Sequence, residues 1–240
     1  MALPIPTIVA MGGGGFSMEP DNPLLDDHVL ALGRSAGGRK RPRVCFLPTA
    51  SGDSEGYIAG FYTAFAGRSE ATHLALFNRR VDDLEALLLD QDVVYVGGGN
   101  TANMLAIWRA HGVDRALRRA WEAGVVMAGL SAGSLCWFES GTTDSFGLEL
   151  AGLVDGLGFL PGSHSPHYDG EALRRPLYQR LVAEGALPEG LAADDGAALV
   201  FRRTGLVEVV TSRPAARAYR VVRGPDGLAI ETELATRYLG

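Results

Sequence analysis

Residues 125–138 read Val125-Val126-Met127-Ala128-Gly129-Leu130-Ser131-Ala132-Gly133-Ser134-Leu135-Cys136-Trp137-Phe138. The first four form a short apolar run of the kind a buried strand uses. Gly129 to Gly133 then spell G-x-S-x-G, and Ser134 to Phe138 is compatible with a helix. Strand, tight turn and helix is the context in which this pattern means a nucleophile elbow, with the serine on a strained turn and its hydroxyl exposed. Glycine lets the chain turn sharply and lets other backbone come close. A helix beginning there turns its free N–H groups toward an oxyanion. The bare pattern is common. Without its flanks it is an ordinary strand-to-helix turn that carries a small serine.

The same alternation extends upstream. Pro6 to Met11 reads as a strand ending in Gly12 to Gly15, Asp27 to Gly33 as a helix, and Arg43 to Pro48 as a strand. Tyr57 to Phe65 has helical spacing, Ala71 to Phe77 is a third strand, and Asp82 to Leu89 a short helix. Asp92 to Val96 is a strand closed by Gly97-Gly98-Gly99-Asn100, with Thr101 as the expected N-cap of a helix to about His111. Val113 to Ala123 is a helix stopped by Gly124. Strands and helices alternating at this length predict an α/β fold: a mostly parallel sheet flanked by helices on both faces.

Downstream the texture changes. Leu148 to Leu160 carries three glycines, Pro161 to Asp169 reads as a loop, and Glu171 to Glu184 as a helix. Ala198 to Phe201, Leu206 to Val210, Arg217 to Val222 and Leu228 to Thr232 are short strands between Gly and Pro turns. They predict a C-terminal antiparallel β extension on the main sheet, so that residues 1–240 make a single domain.

Composition agrees. The 240 residues are 47% hydrophobic, enough for one large α/β domain or at most two small ones. The net charge is −6 and the only basic run is Arg39-Lys40-Arg41, which argues against nucleic acid or an anionic membrane surface as partner. No apolar run approaches the roughly 18 residues of a membrane span. The N-terminus lacks a basic leader region and reads as a first strand, not a signal peptide. The two cysteines, Cys45 and Cys136, lie in apolar segments and read as buried free thiols of a reducing, cytoplasmic compartment. No Cys/His cluster calls for structural zinc, and no metal or cofactor is implied.

A serine hydroxyl needs a base to take its proton, and histidine is the usual one. Of five histidines, His28, His73 and His111 precede the elbow in or beside expected helices and strands. His164 and His167 follow it in a Gly/Ser/Pro-rich loop, and loops at strand ends carry function more often than helix faces. One of these two is the candidate base; without Ser131 both would pass as surface histidines. The base needs an acid to orient it. Asp194 and Asp195 stand at the mouth of an apolar strand, with Asp195 first choice and Asp194 second. The oxyanion of a tetrahedral intermediate needs two donors: the N–H of Ala132, and one from the Gly97–Asn100 turn. That turn is not a G-x-G-x-x-G, and no G-x-x-x-x-G-K-[ST] occurs, so nucleotide-phosphate readings fail. The order Ser131, His167, Asp194/Asp195 also argues against an α/β-hydrolase, in which the acid precedes a late histidine; none follows His167.

Together, VVYVGGGNT (Val93–Thr101), GLSAGS (Gly129–Ser134), PHY (Pro166–Tyr168) and DDGAAL (Asp194–Leu199) resemble the S51 peptidases. That family includes aspartyl dipeptidase (peptidase E) and, more distantly, cyanophycinase. The resemblance runs from the first strand to the strand after Asp195. It implies a class I glutamine amidotransferase-like, flavodoxin-like sandwich with Ser in place of the Cys nucleophile. It further implies Ser131 as nucleophile, His167 rather than His164 as base, and Gly99 and Ala132 as oxyanion donors. The third member falls on Asp195, where the family commonly has Glu.

The implied activity is that of a serine exopeptidase on short peptides, Asp-X dipeptides among them, through an acyl-enzyme. An N-terminal Asp calls for a cation, best an Arg fork. Arg174 and Arg175 are nearest, Asp144 could meet the ammonium, and Asn100 completes the expected substrate-binding set. The bland alternative is a solvated helix face and a turn. Two further readings keep the fold: a serine hydrolase of other peptides, β-linked peptides such as cyanophycin fragments, or esters; and a non-catalytic amidotransferase-like binding domain, which would have no need of Ser, His and an oxyanion pair together.

Overall fold

The computed structural model describes residues 5–240; residues 1–4, where the reading of the N-terminus as strand or leader begins, lie outside the described residues. The chain lays down β1 (Thr7–Met11), β2 (Arg43–Leu47), β3 (Glu70–His73), β4 (Val93–Val96) and β5 (Val126–Leu130), all mutually parallel. A second sheet takes β6 (Phe138–Thr143), β7 (Ala151–Leu153), β8 (Leu160–Ser165) and β9 (Gly190–Ala193). The chain then returns to the first sheet with β10 (Ala197–Arg202) and β11 (Gly205–Thr211). It goes back to the second with β12 (Ala218–Arg223) and β13 (Ala229–Glu233), and ends on the first with β14 (Arg237–Tyr238). The strand orders are β14-β11-β10-β1-β5-β4-β2-β3 and β13-β12-β9-β8-β6-β7.

β1, β4 and β5 are buried along their whole length, as strands covered on both faces must be. Their side chains divide with period two. Val9, Met11, Val93, Tyr95 and Ala128 face one core; Ile8, Ala10, Val94, Val96 and Met127 face the other. The first core is closed by α1 (Gly15–Met18), α2 (Leu24–Gly37) and α3 (Glu55–Phe65), with Phe16, Phe46, Phe61 and Phe65 packed ring against ring. The second is closed by α4 (Leu84–Leu89), α5 (Thr101–His111), α6 (Val113–Glu122) and the second sheet. A one-turn α7 (Ala132–Leu135) follows β5, and α8 (Arg174–Ala183) packs Tyr178 and Val182 on the far face of the second sheet, against Ala192 and Val221.

The mostly parallel sheet with helices on both faces is as expected. Some details differ. Of the four C-terminal strands only β10 and β11 join the main sheet; β12 and β13 extend the second, because β9 offers β12 a free edge, Ala193 opposite Ala218. The stretch read as a loop from Pro161 contains β8. Its small residues suit a strand whose neighbours press close: a Cβ on Gly141 or Gly190 would overlap the carbonyls of His164 and Ser163. Finally, the helix expected over Ser134–Phe138 stops at Leu135, and Phe138 opens β6, opposite Leu160. At the start of α5 the cap is Asn100, whose side chain accepts the Asn103 N–H (2.8 Å), and Thr101 is the first helical residue.

Gly133 lets α7 lie on β4, for a Cβ there would overlap the Val96 carbonyl. Gly56, in α3, faces open space. In urea denaturation, Gly133→Ala is expected to lose about 2–3 kcal/mol by overpacking. Gly56→Ala is expected to gain about 0.5 kcal/mol through the unfolded state.

Candidate active site

Six strand ends converge. Gly12 and Gly13 follow β1, Gly99 and Asn100 follow β4, and Ser131 follows β5; Asp144 follows β6, His167 lies just past β8, and Asp195 past β9. Open α/β sheets gather their ligand sites at the carboxyl ends of strands in this way. A pocket of about 260 Å³ is lined by Gly99, Asn100, Ser131, Asp144, His167, Glu171 and Arg174. Six of these seven are among the residues singled out from the sequence.

Ser131 has φ 55° and ψ −117°, and His167 has φ 52°. Non-glycine residues in this region are uncommon and persist only where the surroundings over-determine them. Here the Ser131 N–H donates to the Met11 carbonyl (3.2 Å) and the His167 N–H to the next carbonyl, Gly12 (3.2 Å). His167 Nδ1 lies 2.6 Å from Asp195 Oδ1, with both side chains largely buried. A carboxylate only accepts, so Nδ1 carries the proton and Nε2 is left as the basic nitrogen. Burial alone would raise the Asp195 carboxyl. The hydrogen bond and charge of His167, with the guanidiniums of Arg213 and Arg174, outweigh burial and hold it below the ordinary value. Two glycines make room for the pair: a Cβ on Gly13 would overlap Asp195 Oδ1, and one on Gly170 would stand 2.5 Å from Oδ2. This gives the N-terminal glycine run its place beside the site.

Asp194 points elsewhere. Its Oδ2 accepts the Arg217 N–H (2.8 Å), its Oδ1 is buried without a partner among the described residues, and burial pushes its carboxyl up from 3.8 to about 6. His164 is fully buried in β8, between Ser134 and Leu191, and is no surface loop residue.

Around the pocket's rim, the Gly97 N–H goes to Leu47, Gly98 to the Tyr57 hydroxyl (3.1 Å) and Asn100 to Ala50 (2.8 Å). Among the described residues the Gly99 N–H has no such partner, and the Ala132 N–H, first in α7, has none within its helix. Gly99 sits at φ 133°, with no space for a Cβ beside the Ala50 carbonyl. Arg174 is buried and faces the pocket: Nε and Nη2 donate to Glu171 Oε2 (3.0 and 2.7 Å) and Nη1 to the Thr142 carbonyl (2.8 Å). Arg175 turns away. Successive residues of a helix point about 100° apart, and its guanidinium pairs with Glu231 over the rings of Tyr168 and Tyr219. The residue not foreseen is Glu171. Its i,i+3 spacing to Arg174 is the signal that could have found it.

Residues 8–209 match the profile of peptidase family S51. A Bacillus subtilis (strain 168) protein bearing the name uncharacterized peptidase YgaJ is 52% identical over 234 residues, which span 97% of this chain and 99% of that one. Peptidase E of Shewanella denitrificans is 29% identical over 127 residues, 49% of this chain and 54% of that protein. Among solved structures, a peptidase from an acI-B1 actinobacterium superposes with a TM-score of 0.69 at 18% identity, over 97% of this chain and 95% of the other, a likeness of fold. No helix among the described residues is long and apolar enough to cross a membrane.

The two aspartates are separable by substitution. Asp195→Asn is expected to slow fluorophosphonate labelling of Ser131 by roughly 10²–10⁴-fold, the effect of a wrong imidazole tautomer; Asp194→Asn should label normally. Because the folded Asp194 carboxyl is raised to about 6 from 3.8, the folded chain holds a proton that the unfolded chain releases between those values. Wild-type stability therefore falls as pH rises through that window. Asp194→Asn should melt about 2–4 °C above wild type at pH 8, with the gap closing below pH 4; thermal scans against pH check it.

Proposed function

The chain belongs to peptidase family S51, and on that premise we propose that it is a serine peptidase cleaving short peptides through an acyl-enzyme on Ser131. The observation that carries the reading is the shared pocket: Ser131 and His167, both with left-handed backbone, line it together, and His167 is bonded to Asp195.

Ser131 Oγ attacks the scissile carbonyl carbon while its proton passes to His167 Nε2. Asp195 holds the tautomer and stabilises the imidazolium without itself taking the proton. The developing oxyanion draws on the N–H groups of Gly99 and Ala132. Collapse of the intermediate breaks the C–N bond, and His167 gives its proton to the departing amine. Water, deprotonated by the same nitrogen, then releases the acyl group and restores Ser131.

For the substrate, the reading is a peptide with N-terminal Asp. Arg174 keeps two of its five N–H groups beyond those used on Glu171 and Thr142, enough for a side-chain carboxylate, and Asp144 offers a partner for the ammonium. A second reading has its own support: Glu171 already neutralises Arg174, which favours a neutral or differently linked residue in this pocket.

The test is a panel of Asp-X, β-Asp-X, Ala-X and Leu-X dipeptides with wild type, Ser131→Ala and Arg174→Lys. Cleavage of Asp-X, its loss in Ser131→Ala, and a fall in kcat/KM of roughly 10–100-fold for Asp-X in Arg174→Lys, the worth of charge-assisted hydrogen bonds, are expected. Preference for β-Asp-X or neutral peptides would move the assignment to the second reading, and absence of labelling and of cleavage would refute the peptidase mechanism.

A further inference from the structure

His164 is a buried titratable side chain that the mechanism does not use. His164 is fully enclosed, stacked on Phe138 at 4.7 Å between ring centres. Its Nδ1 lies 3.0 Å from the Leu191 carbonyl, which can only accept, so Nδ1 carries the proton and Nε2 must accept. The group facing Nε2 is the Ser134 hydroxyl, at 3.0 Å. That hydroxyl lies 2.8 Å from the Ser131 carbonyl as well, and its single proton is shared between the two in a three-centred bond. The Ser131 carbonyl also receives the backbone N–H groups of Ser134 and Leu135, each at 2.9 Å. A continuous chain of hydrogen bonds therefore runs from the carbonyl of Ser131, through α7, across β8 to β9. Burial first, with the charges of Arg174 and His167 adding, lowers His164 to about 3, so the imidazole stays neutral and the direction of the chain is fixed.

Two features give this chain a task. The helix after the elbow is a single turn, ending at Leu135, and cannot by length hold Ser131 in its strained conformation. His164 also stands three residues before His167 on the same segment. One end of that segment is thus tied to the turn that bears the serine, the other to Asp195.

We propose that His164 is a positioning residue, which through Ser134 sets the serine-bearing turn against the segment that bears the base. The inference rests on the reading of Ser131 as nucleophile.

The experiment compares wild type with His164→Phe, His164→Gln, Ser134→Ala and the pair His164→Phe/Ser134→Ala. It reads the fluorophosphonate labelling rate of Ser131, kcat and KM on a dipeptide the wild type cleaves, and the melting temperature. His164→Phe and Ser134→Ala are each expected to lower labelling and kcat by roughly tenfold, the scale of a sub-ångström misplacement, with KM within about twofold. The double variant should be no slower than the worse single one, as for two members of one network. His164→Gln, whose amide oxygen can take the Ser134 proton, should recover most of the rate whatever its melting temperature. Folded His164→Phe or Ser134→Ala labelling at the wild-type rate overturns the proposal and leaves the serine mechanism standing, as does a Gln variant no faster than Phe. Should His164→Phe fail to fold, Ser134→Ala decides alone. An unlabelled wild type removes the nucleophile itself, and this inference with it.

Discussion

Two neighbouring carbonyls at the end of β1 hold the two strained residues of the pocket. Met11 receives the N–H of Ser131 and Gly12 that of His167; the next carbonyl, Gly13, receives Gly196, one residue past Asp195. The end of a single central strand is thus the rail on which Ser131, His167 and Asp195 are aligned, although they come from two sheets. The rail works because it is bare. A Cβ on Gly12 would overlap the carbonyls of Ala193 and Asp194, and one on Gly13 would overlap Asp195. Positive φ at Ser131 and His167 is sustained by this close approach, and the approach requires glycine on the opposite side.

The same crowding gives two adjacent aspartates opposite characters. Asp195 faces His167, with Arg213 and Arg174 near enough to favour its ionised form. Arg213 is itself anchored by Glu19 (2.7 Å), whose other oxygen accepts the Ser212 hydroxyl (2.7 Å). Asp194 faces the other way, toward a backbone amide, with one oxygen buried and, among the described residues, unpartnered, and is held toward its neutral form. Alternation of side chains along an extended backbone puts one carboxyl in a charged network and the other in a dry one.

Much of this was legible beforehand because it is local. G-x-S-x-G between an apolar run and a helix start, a glycine run closing a strand, and strands spaced by helices all follow from neighbours in sequence. Ser131, His167, Asp195, Gly99, Asn100, Asp144 and Arg174 were singled out by such signals or by the resemblance they support, and the structure gathers them at one pocket or beside it. What escaped depends on distant partners. Leu160–Ser165 has the composition of a loop and becomes a strand because β6 and β9 flank it. Arg174 and Arg175 are indistinguishable by type, and only the packing of α8 sends one into the pocket and the other to Glu231. The split of the last four strands between two sheets turns on the free edge of β9, which no periodicity records.

β1 pairs with residues 198–202, close to the far end of the chain, and the two sheets exchange the chain repeatedly before it ends at β14. Contacts so distant in sequence form late and slowly. During synthesis, Ser131 emerges while β8, β9 and β10 are still to be made, and the rail at Met11–Gly13 has only one of its three passengers. Ser131 then stands without His167, Asp195 or the strand that closes them in.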